Sequence, residues 1–335
     1  LLLSNCMQFS VSISGSWLIA LGIMLLALFV SFPIAAVEKN FSEKDFSHWL
    51  QAARIAQASY QSKSDIEAEL ASQGYDLKRF QQIPGYSVAY AYAVNTQTRQ
   101  AIVAVRGTSN IENAIVDAAF VLVSDKITGV DIHQGFLLSA RDIFMQLSTE
   151  VDRDYTINTI GHSLGGAAAL ILAMMFDAQG YDVGEVVTFG QPKVTNISGS
   201  RKFNHLNVTR LVTPKDVVPL VPPMDPMDLM NFSIFWHQGT EVLLYPDHRY
   251  SVLTGMNSMM RAADFLNDIP DQQHVSNHFM STYIRYLENK VPGKLSGNTG
   301  ADNTPSESKL KPEAIRYSSD FSFSDFFGGE NSSAG

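Results

Sequence analysis

Cysteine is almost missing from this chain. Of 335 residues only Cys6 carries a thiol, so no disulfide can form within it, and cysteine nucleophiles, zinc–thiolate sites and iron–sulfur clusters are excluded. The fold must rest on its apolar core, which a chain of this length permits. Positive charge is scarce as well: 24 Lys and Arg stand against 33 Asp and Glu, a formal net charge of -9. Such a balance excludes nucleic acid as the main partner, because phosphate needs a basic surface. No protein partner is evident. No His, Asp and Glu cluster has metal-ligand spacing, so neither metal nor cofactor is expected.

Charge is absent altogether before Glu38. The preceding run "WLIALGIMLLALFVSFPIAA", Trp17 to Ala36, is apolar and ends in small residues. It reads as a secretory signal over residues 1–36, cleaved near Ala35 or Ala36, which implies a secreted or periplasmic protein. No Lys or Arg precedes the run, and it is long enough to span a bilayer. A retained membrane anchor over residues 17–36 is therefore the alternative. Cys6 would be lost with a cleaved signal.

From residue 37 to about 290 the pattern is that of one globular domain. "EKDFSHWLQAARIAQASY" places Phe46, Leu50, Ile55 and Ala56 at helical spacing. "SVAYAYAVN" and "QAIVAVRG" predict two strands joined by the turn "TQTR". "YTINTI" is a short strand running into a glycine motif, and "AAALILAMMFDAQG" predicts a buried helix stopped by Gly180. "GEVVTFGQP", "VTRLV" and "FWHQGTEVLLY" predict three more strands, and "NHFMSTYIRYLENK" a closing amphipathic helix. Strands alternating with helices indicate an α/β fold with a mostly parallel sheet. From Val291 to Gly335 the composition turns polar and rich in Gly, Ser and Asn, which predicts a flexible tail.

"TIGHSLGGAAALIL" sets Ser163 in G-x-S-x-G between a strand and a helix. That is the context of a nucleophile elbow, in which Gly161 and Gly165 permit a bend too tight for side chains. Ser163 would sit at a helix N-terminus, where free N–H groups favour a developing oxyanion. His162 reads as support for the elbow. A structural glycine turn is the bland alternative, so partners decide.

A serine nucleophile needs a base and an orienting acid, in the chain order Ser, acid, His on this kind of sheet. Asp216 in "LVTPKDVVPLVPP" follows an apolar strand directly, and no later aspartate is so placed. His48, His133, His162 and His205 precede it and fail the order. His237 lies inside a predicted strand and His248 in a turn. His278, with His274 as the alternative base, lies just ahead of the last helix. A strand ending in Arg106-Gly107-Thr108 supplies a second loop, so the N–H groups of Thr108 and Leu164 could share one oxyanion.

Together "AVRGTSN", "HQGF", "GHSLGGAAA", "TFGQPKV", "TPKDVVPLVPP" and "NHFMSTY" resemble the class 3, fungal-type triacylglycerol lipases. The resemblance spans about residues 45 to 290. It implies the α/β-hydrolase fold, a mostly parallel central sheet flanked by helices with a helical lid. It also implies a triad of Ser163, Asp216 and His278, an oxyanion hole at Thr108 and Leu164, and a lid at about 109–123 in which Asp117 holds the Thr108 hydroxyl. Fungal members commonly carry disulfides, which points this chain towards a bacterial secreted branch. In the lid Ile111, Ile115, Ala118, Ala119 and Leu122 recur at helical spacing. Such a face would cover an acyl groove or turn into lipid, making a lipid or emulsion surface the expected partner. Met224, Met227 and Met230, then Met256, Met259 and Met260, flank the acid and base loops; flexible thioethers suit varied acyl chains. The expected activity is triacylglycerol hydrolysis through an acyl-enzyme. Phospholipase A1 and feruloyl esterase chemistry are the alternatives on this scaffold, and a non-catalytic binding protein is the rival of another class.

Overall fold

The computed structural model describes residues 40–85, 88–108, 121–222, 234–264 and 276–291. The apolar N-terminal run, residues 109–120 of the expected lid with Asp117, Met224 to Met230, His274 and the tail from 292 onward lie outside the described residues. Among the described residues no helix is long and apolar enough to cross a membrane.

Among the described residues twelve strands form two sheets. The larger sheet contains β1 (Asp76–Gln82), β2 (Ala89–Asn95), β3 (Gln100–Arg106), β6 (Thr156–His162), β7 (Val183–Phe189), β9 (Asn207–Val212), β11 (Thr240–Leu244) and β12 (Tyr250–Thr254), in that spatial order. The pairings from β3 through β6, β7 and β9 to β11 are parallel, and antiparallel strands close both edges. The smaller sheet is β10 (Phe235–Trp236), β8 (Thr195–Asn196), β5 (Asp131–His133) and β4 (Leu122–Ser124), all antiparallel.

Strand side chains alternate between faces, and the core divides accordingly. Ala101, Val103 and Val105 of β3 join one cluster with α3 (Gln134–Leu147) and α4 (Leu164–Ala178). Ile102 and Ala104 join the other, with α1 (Glu43–Ala58) and α7 (Met280–Glu288). Helix α4 is buried along its length from Gly165 to Phe176. Its alanines let it lie against the sheet, and Gly180 (φ +75°) ends it as expected. Helices α1 and α2 (Lys63–Ser72) begin at Ser42 and Ser62, each in a capping box with an aspartate three residues on. Helices α5 (Ile197–Lys202) and α6 (Gly255–Asp264) lie between α4 and α7 in the chain.

Three expectations need correction. "FWHQGTEVLLY" is two strands in different sheets, not one. The chain turns at Gly239, whose φ is +78° and where a Cβ would stand 2.4 Å from the Val208 carbonyl oxygen. Leu122 and Val123, assigned to the lid helix, pair with His133 and Ile132 in a strand, so a helical lid cannot extend to 123. Val291, assigned to the tail, is buried in the core cluster of α1 and α7.

Candidate active site

Strand β6 runs straight into α4, and Ser163 is the residue between them. Its backbone is forced to φ +60°, a region that costs a residue with a Cβ about 1–2 kcal/mol. The bend persists because its neighbours carry no side chains. A Cβ on Gly161 would lie 2.2 Å from the Gly165 carbonyl oxygen, and one on Gly165 would lie 2.2 Å from the Val105 oxygen and 2.6 Å from the Gly107 nitrogen. The Ser163 N–H donates to the Phe189 carbonyl, while its own carbonyl accepts from Gly166 and Ala167 at the start of α4.

The Gly165 contacts also fix the second loop. Residues 105–107 lie backbone to backbone against the elbow, which brings Thr108, itself buried, beside the first turn of α4. Leu164 is the first residue of that helix, so its N–H has no acceptor within the helix.

Asp216 lies in the turn after β9 and is 1% exposed. Three donors converge on it. Val218 N–H reaches Oδ1 at 2.9 Å, His278 Nδ1 reaches Oδ2 at 2.8 Å, and the Tyr283 hydroxyl reaches Oδ2 at 2.5 Å. A carboxylate facing such donors accepts, so His278 carries its proton on Nδ1 and leaves Nε2 as the basic nitrogen. That Nε2 is buried without a hydrogen-bond partner among the described residues. The phenol of Tyr283 is pushed up by burial and by the adjacent carboxylate, which keeps it a donor. Thr213 Oγ1 donates to the Asn277 carbonyl, tying the turn of Asp216 to the loop of His278.

Gly190 closes the gap between β7 and this pair. A Cβ there would meet Asp216 Oδ2 and His278 Cε1 at 2.7 Å. The imidazole therefore rests on the backbone immediately after Phe189, the residue bonded to Ser163 N–H. On its other side lies His162, with ring centroids 4.5 Å apart. His162 Nε2 donates to the His278 carbonyl at 2.7 Å, and its Nδ1 accepts from the Tyr60 hydroxyl at 2.8 Å. Burial holds His162 well below the usual histidine range, hence neutral.

The loop that follows Asp216 is clamped from behind. Lys193 is fully buried and donates to the Leu220 and Pro222 carbonyls at 2.5 and 2.7 Å, and His237 Nε2 donates to the Pro219 carbonyl at 2.6 Å. Among the described residues no three His, Cys, Asp or Glu side chains converge as a metal would require.

Of the residues singled out in the sequence, Gly161, His162, Ser163, Leu164, Gly165, Thr108, Asp216 and His278 meet at the C-terminal ends of β3, β6, β7 and β9. Sequence reasoning missed Tyr60, Gly190, Lys193 and Tyr283. Tyr283 sits inside the quoted "NHFMSTY", and Gly190 and Lys193 inside "TFGQPKV", but their contacts cross between elements and leave no local signature. Tyr60 carries no motif at all.

A serine at a strained strand-to-helix bend, beside an Asp–His pair at the ends of parallel strands, defines the α/β-hydrolase class. A solved lipase from Yarrowia lipolytica shares the fold, at 22% identity and a TM-score of 0.59 over 72% of this chain and 94% of that one. A Rhizomucor miehei lipase structure superposes over 66% of this chain and 78% of that one, with 22% identity and a TM-score of 0.55. The model of the lipase (class 3) family matches residues 102–225. In sequence the chain is 33% identical to a lipase of Rhizomucor miehei over 190 residues, 52% of this chain and 49% of that protein. It is 28% identical to a secreted mono- and diacylglycerol lipase of Fusarium solani over 141 residues, 39% of this chain and 42% of that one. Over residues 102–225 the chain is thus similar to the class 3 lipases. It spans about half the length of the relatives it matches. Those relatives are fungal, so they lend no support to the bacterial branch expected above.

Proposed function

We propose that this protein is a secreted serine lipase that cleaves acylglycerol ester bonds through an acyl-enzyme. The observation that carries this reading is the Asp216–His278 pair, 2.8 Å apart, beside the strained Ser163 elbow. His278 Nε2 takes the proton of Ser163 Oγ as the oxygen attacks the ester carbonyl carbon. The carboxylate of Asp216 steadies the imidazolium. The tetrahedral oxyanion accepts the N–H groups of Thr108 and Leu164, each such donor worth about 3 kcal/mol in the transition state. His278 then protonates the departing alcohol, and water releases the acid by the same route.

The names of the relatives, lipase and mono- and diacylglycerol lipase, favour acylglycerols over other esters. The amphipathic pattern around Ile111, Ile115 and Ala118 supports a lid opening at a lipid or emulsion surface, with Asp117 holding Thr108. Each large apolar side chain passed from water to lipid contributes roughly 1.5–3 kcal/mol. Residues 1–36 act as the export signal, 37–291 as the catalytic domain and 292–335 as its tail.

The test is hydrolysis of a triacylglycerol across its solubility limit, with Ser163→Ala alongside. A rate that jumps when emulsion forms, and vanishes in the variant, supports a lidded lipase using Ser163. A smooth hyperbolic rise through that limit overturns the lid, and near-normal activity in the variant overturns the mechanism.

A further inference from the structure

Tyr60 and His162 lie outside the proton path proposed above, yet they connect its parts. Tyr60 follows α1 directly, and its hydroxyl donates to His162 Nδ1 at 2.8 Å. The Gly107 N–H faces the same phenol oxygen, and a Cβ on Gly107 would stand 3.2 Å from it. Beyond the imidazole, His162 Nε2 reaches the main-chain carbonyl of His278 at 2.7 Å.

The polarity of this chain is fixed by elementary chemistry. A carbonyl only accepts, so Nε2 must carry the proton and Nδ1 must be the lone-pair nitrogen. Tyr60 is then the donor to Nδ1, and its oxygen keeps a lone pair for Gly107. The direction runs from the 106–108 loop, through Tyr60 and His162, to the backbone of the base. Reversing the His162 tautomer would set the Nε2 lone pair against the carbonyl lone pairs, and turning the Tyr60 hydroxyl towards Gly107 would set donor against donor.

From this geometry we infer that Tyr60, through His162, is a positioning residue that sets the catalytic base and the oxyanion loop in one frame with the nucleophile. The inference rests on the serine-hydrolase reading of Ser163, Asp216 and His278. His162 is covalently next to Ser163, so its hold on the His278 carbonyl fixes the spacing of nucleophile and base directly. Asp216 orients the ring of His278; His162 anchors its main chain. Since the reaction tolerates little displacement of reacting groups, loss of the Tyr60 donor falls on turnover and not on substrate binding.

The experiment compares Tyr60→Phe, His162→Gln and His162→Leu with wild type on a soluble short-chain ester, with Ser163→Ala and His278→Ala in parallel. Gln keeps a donor near the His278 carbonyl, whereas Leu keeps none. For Tyr60→Phe, kcat should fall about tenfold with KM within twofold. His162→Gln should retain at least tenfold more kcat than His162→Leu. Nitrogen NMR of ¹⁵N-histidine-labelled wild type should show His162 as the neutral Nε2–H tautomer at pH 7, a readout available even if a variant does not fold. An Nδ1–H tautomer, a Tyr60→Phe enzyme with unchanged kcat, or equal losses for Gln and Leu would each overturn the inference. Full activity in Ser163→Ala or His278→Ala would instead overturn the hydrolase reading beneath it.

Discussion

Gly190→Ala isolates the space that the Asp–His pair occupies. Two separate costs follow from the structure. The φ of Gly190 is +57°, so an alanine pays about 1–2 kcal/mol of backbone strain wherever it is placed in such a conformation. Its Cβ would also stand 2.7 Å from Asp216 Oδ2 and His278 Cε1, where ordinary contact begins at 3.4 Å, a shortfall of about 0.7 Å. The atoms that must yield are those of the pair itself, and Asp216 is pinned by three donors. Displacements on the order of 1 Å at reacting groups cost about 100-fold in rate. Gly180→Ala separates the two costs: its φ is +75°, but the nearest atom, on Arg153, is 3.9 Å away. Thermal unfolding should register a loss of about 2–8 °C in Gly180→Ala, taking roughly 2–4 °C per kcal/mol for a domain of this size, and at least as much in Gly190→Ala. On a soluble short-chain ester Gly190→Ala should lose about 100-fold in kcat while Gly180→Ala keeps wild-type turnover. A folded Gly190→Ala enzyme within twofold of wild type would refute the placement of His278 and Asp216.

Two more predictions concern the same buried groups. Tyr283→Phe removes one of three donors to Asp216; a hydrogen bond to a charged group contributes about 1.5–3 kcal/mol, so kcat should fall roughly tenfold in steady-state assays, with Val218 and His278 still in place. His133, stacked on Phe136 with ring centroids 4.0 Å apart, is pushed down by burial to about 4. The unfolded chain therefore binds a proton there between pH 6.5 and 4 that the folded chain refuses. The associated stability is complete above pH 6.5 and falls as pH drops towards 4, by up to roughly 3 kcal/mol. Buried, neutral His162 acts in the same direction. Denaturant unfolding at pH 7 and pH 4.5 should show this slope, reduced in His133→Phe.

Much of the frame was legible in the sequence because it is written in local chemistry. The alternating runs of β2 and β3, the alanine-rich α4 and the glycines at 161 and 165 each obey a rule that acts over a few residues. The proximity of Asp216 and His278 was legible from one loop that directly follows a strand and another that precedes a helix. Strands β1, β5 and β12 and helix α3 were not anticipated, since "DLKRFQQ" at a sheet edge carries no apolar alternation. The split of "FWHQGTEVLLY" was missed because the turn at Gly239 depends on the Val208 backbone, some thirty residues away. Tyr60 and Tyr283 were invisible for the same reason. Their partners are 102 and 67 positions distant, and only folding brings a phenol to a histidine or a carboxylate.

The division of the core between two faces of the sheet has a consequence for how this protein fails. Ser163 leads α4, which is embedded in one cluster, whereas Tyr283 and the residues after His278 belong to α7 in the other. Loosening of the α1–α7 layer alone would part His278 from Ser163 and leave the α4 layer folded. Heat inactivation would then begin below the temperature at which most of the helix content melts, and it would reverse on cooling as long as the buried layer held.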